Sequence, residues 1–108
     1  MVSELTAKSR LQYDPGTPYE VPVADTSLIT LLETSARLYP ERIAIDYLGA
    51  TLTYTQLYAQ VLRAAQVLVE NGVRKGDVCA ICLTNCHQAL VAFYACMRIG
   101  AVAAQHNP

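Results

Sequence analysis

Four cysteines and a histidine stand close together near the end of the chain: Cys79, Cys82, Cys86, His87 and Cys96. Cys79-x-x-Cys82 followed by Cys86 and His87 has spacing that could close on a metal, because thiolate and imidazole at such intervals suit zinc. The local pattern opposes that reading. Cys79 and Cys82 lie in Val-Cys-Ala-Ile-Cys-Leu, which reads as a strand, and on a strand residues three apart face opposite sides. Chelation would need a knuckle, and no Gly or Pro supplies one. The cysteines are therefore read as buried free thiols acting as small hydrophobes, in a compartment that keeps thiols reduced.

Other chemistry is equally sparse. The five glycines, at 16, 49, 72, 76 and 100, are not grouped to build a phosphate cradle, and neither Gly-x-Gly-x-x-Gly nor Gly-x-x-x-x-Gly-Lys occurs. Asp46, Glu70 and Asp77 fall on different expected elements, so no pair of carboxylates converges for acid–base work. His87 opens an expected helix, where a first-turn role suffices. His106 follows an expected strand, and open α/β sheets bind ligands beyond the carboxyl ends of strands. Neither histidine has a Ser or Cys nucleophile with an orienting carboxylate. Tyr54 and Tyr58 share a helix face and are read as packing residues. No catalytic, cofactor-binding or metal residue is assigned in this chain.

Composition narrows the classes further. The 108 residues are 53% hydrophobic and 16% charged, against ordinary usage of about 45–50% and about 25%. A chain this short buries a smaller share of its surface than a longer one, so this composition asks for more burial than a small sphere offers. The formal net charge is -1, with Lys and Arg scattered singly, which lacks the basic stripe that collects a phosphate backbone and excludes nucleic acid as the expected partner. The longest apolar run, Ala89 to Met97, falls far short of the roughly 20 residues of a membrane span. No charged-then-apolar signal segment leads the chain, and a cytoplasmic location is expected.

The elements that would position these residues follow from periodicity. Residues 1 to 24 show no sustained period, and Asp14-Pro15-Gly16-Thr17-Pro18 with Pro22 mark an extended, turn-rich lead-in. Asp25-Thr26-Ser27 offers N-cap oxygens to a helix of 27–38 carrying Leu28, Leu31, Leu32, Ala36 and Leu38, which must stop before Pro40. Residues 43–48 and 51–53 read as a β-hairpin turning at Gly49-Ala50. Thr53-x-x-Gln56 is a capping box. Behind it runs an amphipathic helix with Leu57, Val61, Ala64, Ala65 and Leu68 on one face. Gly72 fits the left-handed position past its end, and Arg74 and Lys75 complement its dipole.

Gly76-Asp77 then turns into 78–83, an apolar run of the kind buried on both faces. A helix of about 86–98 with almost no polar face follows, then Gly100 and another buried strand at 101–104. Strand, helix and strand with short links read as a right-handed βαβ unit and a parallel sheet. Fully buried strands and a fully apolar helix need covering layers that the other elements cannot provide. The chain is expected to be part of a larger α/β protein, or to self-associate.

The same residues carry a family resemblance. Leu52-Thr53-Tyr54-Thr55-Gln56-Leu57 resembles the hydrophobic-Thr-Tyr-x-Glu/Gln-Leu motif of adenylate-forming enzymes, which include acyl-CoA synthetases, luciferases and peptide-synthetase adenylation domains. Gly72-Val-Arg-Lys-Gly-Asp77, Ile81-Cys-Leu-Thr-Asn85 and Arg98-Ile-Gly-Ala-Val102 resemble three further motifs in register. The likeness runs from about Asp25 to Pro108. Asn85-Cys86-x-Gln88, Val91-Ala-Phe-Tyr94 and His106-Asn-Pro108 are most similar to bacterial long-chain fatty-acid–CoA ligases. Thr84 stands where the family usually has Pro, and Gln105-His106 departs from its apolar approach to Asn-Pro.

The resemblance implies a fold, the N-terminal portion (residues 25–108) of the large α/β domain of an adenylate-forming enzyme, preceded by the lead-in of residues 1–24. It also implies a reaction: a fatty acid's carboxylate attacks the α-phosphate of ATP, giving acyl-AMP, from which CoA displaces AMP, with Mg²⁺ offsetting phosphate charge. The family's phosphate loop, nucleotide contacts and C-terminal Lys would lie beyond Pro108. The chain alone is expected to be inactive, incomplete and self-associating. The alternatives are an adenylating ligase for aryl, short-chain or amino acids, or a non-enzymatic oligomerising α/β module.

Overall fold

The computed structural model describes residues 2–18, 20, 22 and 25–108; Met1, Tyr19, Val21, Val23 and Ala24, part of the expected lead-in, lie outside the described residues. In chain order the elements are α1 (Val2–Arg10), α2 (Leu28–Leu38), β1 (Ile43–Tyr47), β2 (Ala50–Thr53), α3 (Tyr54–Glu70), β3 (Val78–Ile81), α4 (His87–Ile99) and β4 (Val102–Gln105). β1 and β2 pair antiparallel, and β3 and β4 pair parallel.

The lead-in differs from expectation, because α1 is helical rather than extended. Its charges explain this: Glu4 lies in the first turn and Lys8 and Arg10 in the last, the order that complements the helix dipole. The turn signals hold afterwards, with Gly16 at φ 86° and the Thr17 N–H donating to the Asp14 carbonyl at 3.0 Å.

α2 keeps its expected place with Ser27 as N-cap, but Ser27 makes no side-chain cap bond; its hydroxyl pairs with that of Thr30 at 2.8 Å. Leu32 is the buried residue of the helix, and Ile29 packs beside it, whereas Leu28, Leu31 and Leu38 of the expected stripe are about half exposed.

The hairpin turns one residue earlier than expected. Leu48 (φ 54°) and Gly49 (φ 88°) are both left-handed, the two-residue loop whose twist suits the flanking strands. Asp46 Oδ1 accepts the Gly49 N–H at 3.1 Å, so a carboxylate two positions upstream of Leu48 supplies the polar chemistry that the loop itself lacks.

Where β2 runs into α3 the capping box forms as read. Thr53 Oγ1 accepts the Gln56 N–H at 3.2 Å, and Gln56 Oε1 accepts the Thr53 N–H at 2.9 Å. α3 then buries Leu57, Val61 and Ala65. Leu57 and Val61 join Leu32 and Val91 in a first core, flanked by Ala44, Ile45, Tyr54 and Tyr58, which confirms the packing role of both tyrosines. Each large side chain so buried contributes about 1.5–3 kcal/mol.

A second core of Ile81, Cys96 and Ala101 lies between α4 and the parallel pair. In register, Val78 faces Val102 and Ile81 faces Gln105. Here the expectation of strands buried on both faces is corrected: Val78 is 68% and Val102 51% exposed, because α4 covers one face and no other described element covers the second. β3 ends at Ile81, short of the expected 83. α4 is likewise covered on one side only, burying Val91, Ala95 and Cys96 while Leu90 is exposed. The radius of gyration, 18.3 Å, exceeds the ~13 Å of a compact chain of this length, in keeping with an α1 that does not pack extensively on the other elements.

Candidate functional site

The parallel pair has two ends, and the family-like motifs divide between them. At the N-terminal end of β3 and β4, two motifs lock together. α3 stops as Gly72 enters the left-handed region at φ 88° and the Val73 N–H reaches back to the Leu68 carbonyl at 3.0 Å. Asp77 closes the next turn, its Oδ2 accepting the Arg74 N–H at 2.8 Å and its own N–H donating to the Arg74 carbonyl at 3.0 Å. Gly76 donates its N–H to the Gly100 carbonyl at 2.9 Å, and Val102 donates to the Asp77 carbonyl at 2.7 Å.

Gly100, at φ 78° and ψ 18°, is the left-handed cap of α4. A Cβ there would come within 2.9 Å of Lys75 Cγ. Two residues earlier, Arg98 Nη1 meets Glu33 Oε1 of α2 at 2.6 Å. Nothing in the spacing of Arg98 and Glu33, 65 positions apart, signalled that contact.

The C-terminal end is open. The His106 N–H continues the ladder to the Ile81 carbonyl at 2.9 Å, and Cys82 Sγ lies 3.8 Å from the Asn107 carbonyl. α4 begins at the N-cap Cys86, whose side chain makes no cap bond. Beside it is a cavity of about 340 Å³ lined by Asn85, Cys86, Ala89, Leu90, Phe93 and Gln105. A second, of about 170 Å³, shares Asn85, Ala89 and Gln105 and adds Ile81, Leu83, His106 and Asn107. His106 thus lines the end where the strand rule places ligands, as its position suggested. Gln105 was missed, although it directly follows the apolar strand residues, a position the same rule covers.

His87 lines neither cavity. Its ring stands edge-on to Tyr47 of the hairpin, with centroids 5.7 Å apart and planes at 68°, and its Nε2 is buried without a hydrogen-bond partner among the described residues. The two histidines therefore serve different places.

The four thiols are free, but only Cys96 is buried; Cys79 and Cys86 are half-buried and Cys82 is exposed. This corrects the reading of all four as buried, since the uncovered sheet leaves the strand and its exit open. Among the described residues no three His, Cys, Asp or Glu side chains gather as metal ligands. Burial, and then the neighbouring Cys79 thiol, push the Cys96 thiol up to about 11. No described helix is long and apolar enough to cross a membrane.

Fold and motifs together define an α/β scaffold of the adenylate-forming kind. The chain belongs to the family described as AMP-binding enzyme, which it matches over residues 32–108. It is 33% identical over 97 residues to a long-chain-fatty-acid–CoA ligase of Bacillus subtilis, covering 90% of this chain and 17% of that protein. It is 46% identical over 69 residues to an acetyl-coenzyme A synthetase of Emericella nidulans, covering 58% of this chain and 10% of the relative. Among solved structures, O-succinylbenzoate coenzyme A synthetase of Bacillus subtilis, in complex with ATP and magnesium ion, superposes with a TM-score of 0.70 at 38% identity, over 76% of this chain and 22% of that one. The chain spans less than a quarter of the length of each of these proteins.

ATP and Mg²⁺ are thus bound by a structural neighbour, but this chain's residues do not fit them. Its left-handed glycines at 72, 76 and 100 are engaged at the closed end by backbone contacts. The open end presents amides, a thiol and His106, with no carboxylate and no lysine or arginine lining its cavities.

Proposed function

We propose that these residues are the N-terminal scaffold of an AMP-forming ligase that activates a long-chain fatty acid with ATP and transfers it to CoA. The observation that carries the reading is the extent of the match to the long-chain ligase, 90% of this chain, against 58% for the acetyl-coenzyme A synthetase. In that enzyme residues 25–108 support the large domain, residues 1–24 precede it, and the groups that hold ATP, Mg²⁺ and CoA come from outside these 108 residues. The work takes place in the cytoplasm.

A substrate panel on the full-length ligase tests this. Palmitate is expected to exceed acetate and 2-succinylbenzoate in kcat/KM by at least about tenfold, the worth of 1.4 kcal/mol in the transition state. Preference for either of the other acids would replace the substrate assignment. The 108-residue chain alone is expected to make no acyl-AMP, and its formation would overturn the scaffold role.

The exposed face of Val78, Ala80 and Val102 supports self-association of the isolated chain, since contiguous exposed apolar surface seeks cover. Sedimentation is expected to show mass rising with concentration. A dilute monomer with sharp, dispersed amide resonances would contradict it.

A further inference from the structure

We propose that the groove between α2 and α3 binds a fatty acid, with its carboxylate on Arg37 and its chain running over Ala59 toward Leu62. The groove measures about 380 Å³, within the roughly 300–1,000 Å³ of clefts that take small ligands. From α2 it is lined by Glu33, Ala36 and Arg37, and from α3 by Thr55, Tyr58, Ala59 and Leu62. Both sets recur at three and four positions, so each is one face of its helix. Other positions on the same helices hold Leu32, Leu57 and Val61 in the first core. Ala36 and Ala59 leave the space between the helices open, because a methyl group fills little of it.

The two ends of the groove differ in polarity. Pro40, three positions after Arg37, accepts at its carbonyl the Thr55 N–H at 3.2 Å and the Thr55 hydroxyl at 3.0 Å. The last turn of α2, which carries Arg37, therefore meets the first turn of α3. Leu62, 39% exposed, lies seven residues along α3 from Thr55, a rise of about 10 Å. A cationic end followed by an apolar run asks for an amphiphile.

Charge decides the head group. Glu33 is held by Arg98, Nη1 to Oε1 at 2.6 Å, so that pair adds no net charge. Arg37 is exposed, and among the described residues no ion pair or hydrogen bond engages its side chain. One such cation beside an apolar floor complements one anion, and a planar guanidinium takes a carboxylate through two parallel hydrogen bonds. An anionic membrane surface calls instead for several Lys or Arg side chains together, whereas the described residues lining this groove include one. The occupant is a free fatty acid. That holds whichever acid the ligase activates, because it stands on the groove's own residues.

The test is photolabelling of the full-length ligase, without ATP or CoA, by palmitate carrying a diazirine near its methyl end, then digestion and mass spectrometry. The label is expected on the α3 peptide that contains Leu62, displaced by palmitate and not by hexadecanol, which lacks the carboxylate. Arg37→Ala is expected to cut that label at least about tenfold, the worth of a hydrogen bond to a charged group. Ala59→Leu places a good helix former at an exposed position and is expected to abolish the label by filling the groove, with the melting midpoint unchanged. An unlabelled Leu62 peptide in a wild-type ligase that still activates palmitate overturns the inference and leaves the substrate assignment standing. Equal displacement by hexadecanol overturns it too, as does displacement by phosphatidylglycerol vesicles and not by monomeric palmitate; both are read in the wild-type chain, whatever the variants do.

Discussion

The two ends of the β3–β4 pair are built from adjacent stretches of one chain, yet only one is finished. At the closed end, Gly76, Asp77, Gly100 and Val102 exchange backbone hydrogen bonds of 2.7–3.0 Å with one another and with Arg74. At the open end, two cavities of about 340 and 170 Å³ meet at Asn85, Ala89 and Gln105, and the N-cap of α4 lacks a side-chain bond. The difference teaches how to read family motifs physically. An Arg-x-Gly-Ala or Gly-Asp signature need not mark chemistry; at the amino ends of parallel strands it marks the turns that set strand spacing, and ligands belong at the other end.

If the closed end holds the fold, disturbing it should cost most. The largest effect is expected from alkaline pH, through Cys96, whose carbonyl accepts the Ala101 N–H at 2.9 Å beneath that end. Its thiol is raised from 9.0 to about 11, so folding favours the protonated form. That contribution is complete below the unfolded value near pH 9 and is lost as pH rises through the folded value near 11, amounting to ~2–3 kcal/mol. Urea titrations from pH 8 to 11 should show the decline, and its absence in a Cys96→Ala chain would confirm the group responsible. A stability that stays flat to pH 11 in the wild type removes the assignment.

Next in size is Gly100→Val. The left-handed φ of 78° disfavours any Cβ by about 1–2 kcal/mol, a branched side chain fares worse, and Lys75 Cγ must also move from 2.9 Å. A loss of ~2 kcal/mol is expected in chemical denaturation. Asp77→Ala follows, at about 1 kcal/mol, for one charge-assisted bond to the Arg74 N–H. Should either variant match the wild type, the closed end would not be what holds the pair.

Local structure was the most legible part of this chain in its sequence, and the reason is that its signals are short-range. The Thr53–Gln56 box, Gly72, Gly100 and the α3 stripe each depend on neighbours within a few positions. The hairpin slipped by one residue because the deciding group, Asp46, lies outside the loop. α1 escaped because nine residues with scattered apolar positions give no period, while their charge order favours a helix. Burial was the least legible. Val78 and Val102 read as core because apolar runs imply cover, but cover is a tertiary property that no run of residues contains. His106 could be placed at the open end by the strand rule; the Nε2 of His87 and its Tyr47 contact could not, since β1 is forty residues away.

The smallest expected effect separates the two ends most sharply. Neither Asn85 nor His106 has a side chain held by a hydrogen bond among the described residues, and both are exposed, so the Asn85→Ala/His106→Ala pair leaves the backbone bond from His106 to Ile81 in place. Exposed substitutions of this kind stay within about 0.5 kcal/mol, and denaturation of the double variant should overlay the wild type. A loss above about 1 kcal/mol would mean that the open end is already closed by contacts, and the contrast would fail. In the full-length ligase proposed above, the two ends should part company in a second way. Asp77→Ala should lower the midpoint of unfolding with kcat/KM unchanged among molecules that remain folded. The open-end pair should leave the midpoint in place and alter kcat/KM, because a surface that does little for the fold is free to meet what the rest of the enzyme brings to it.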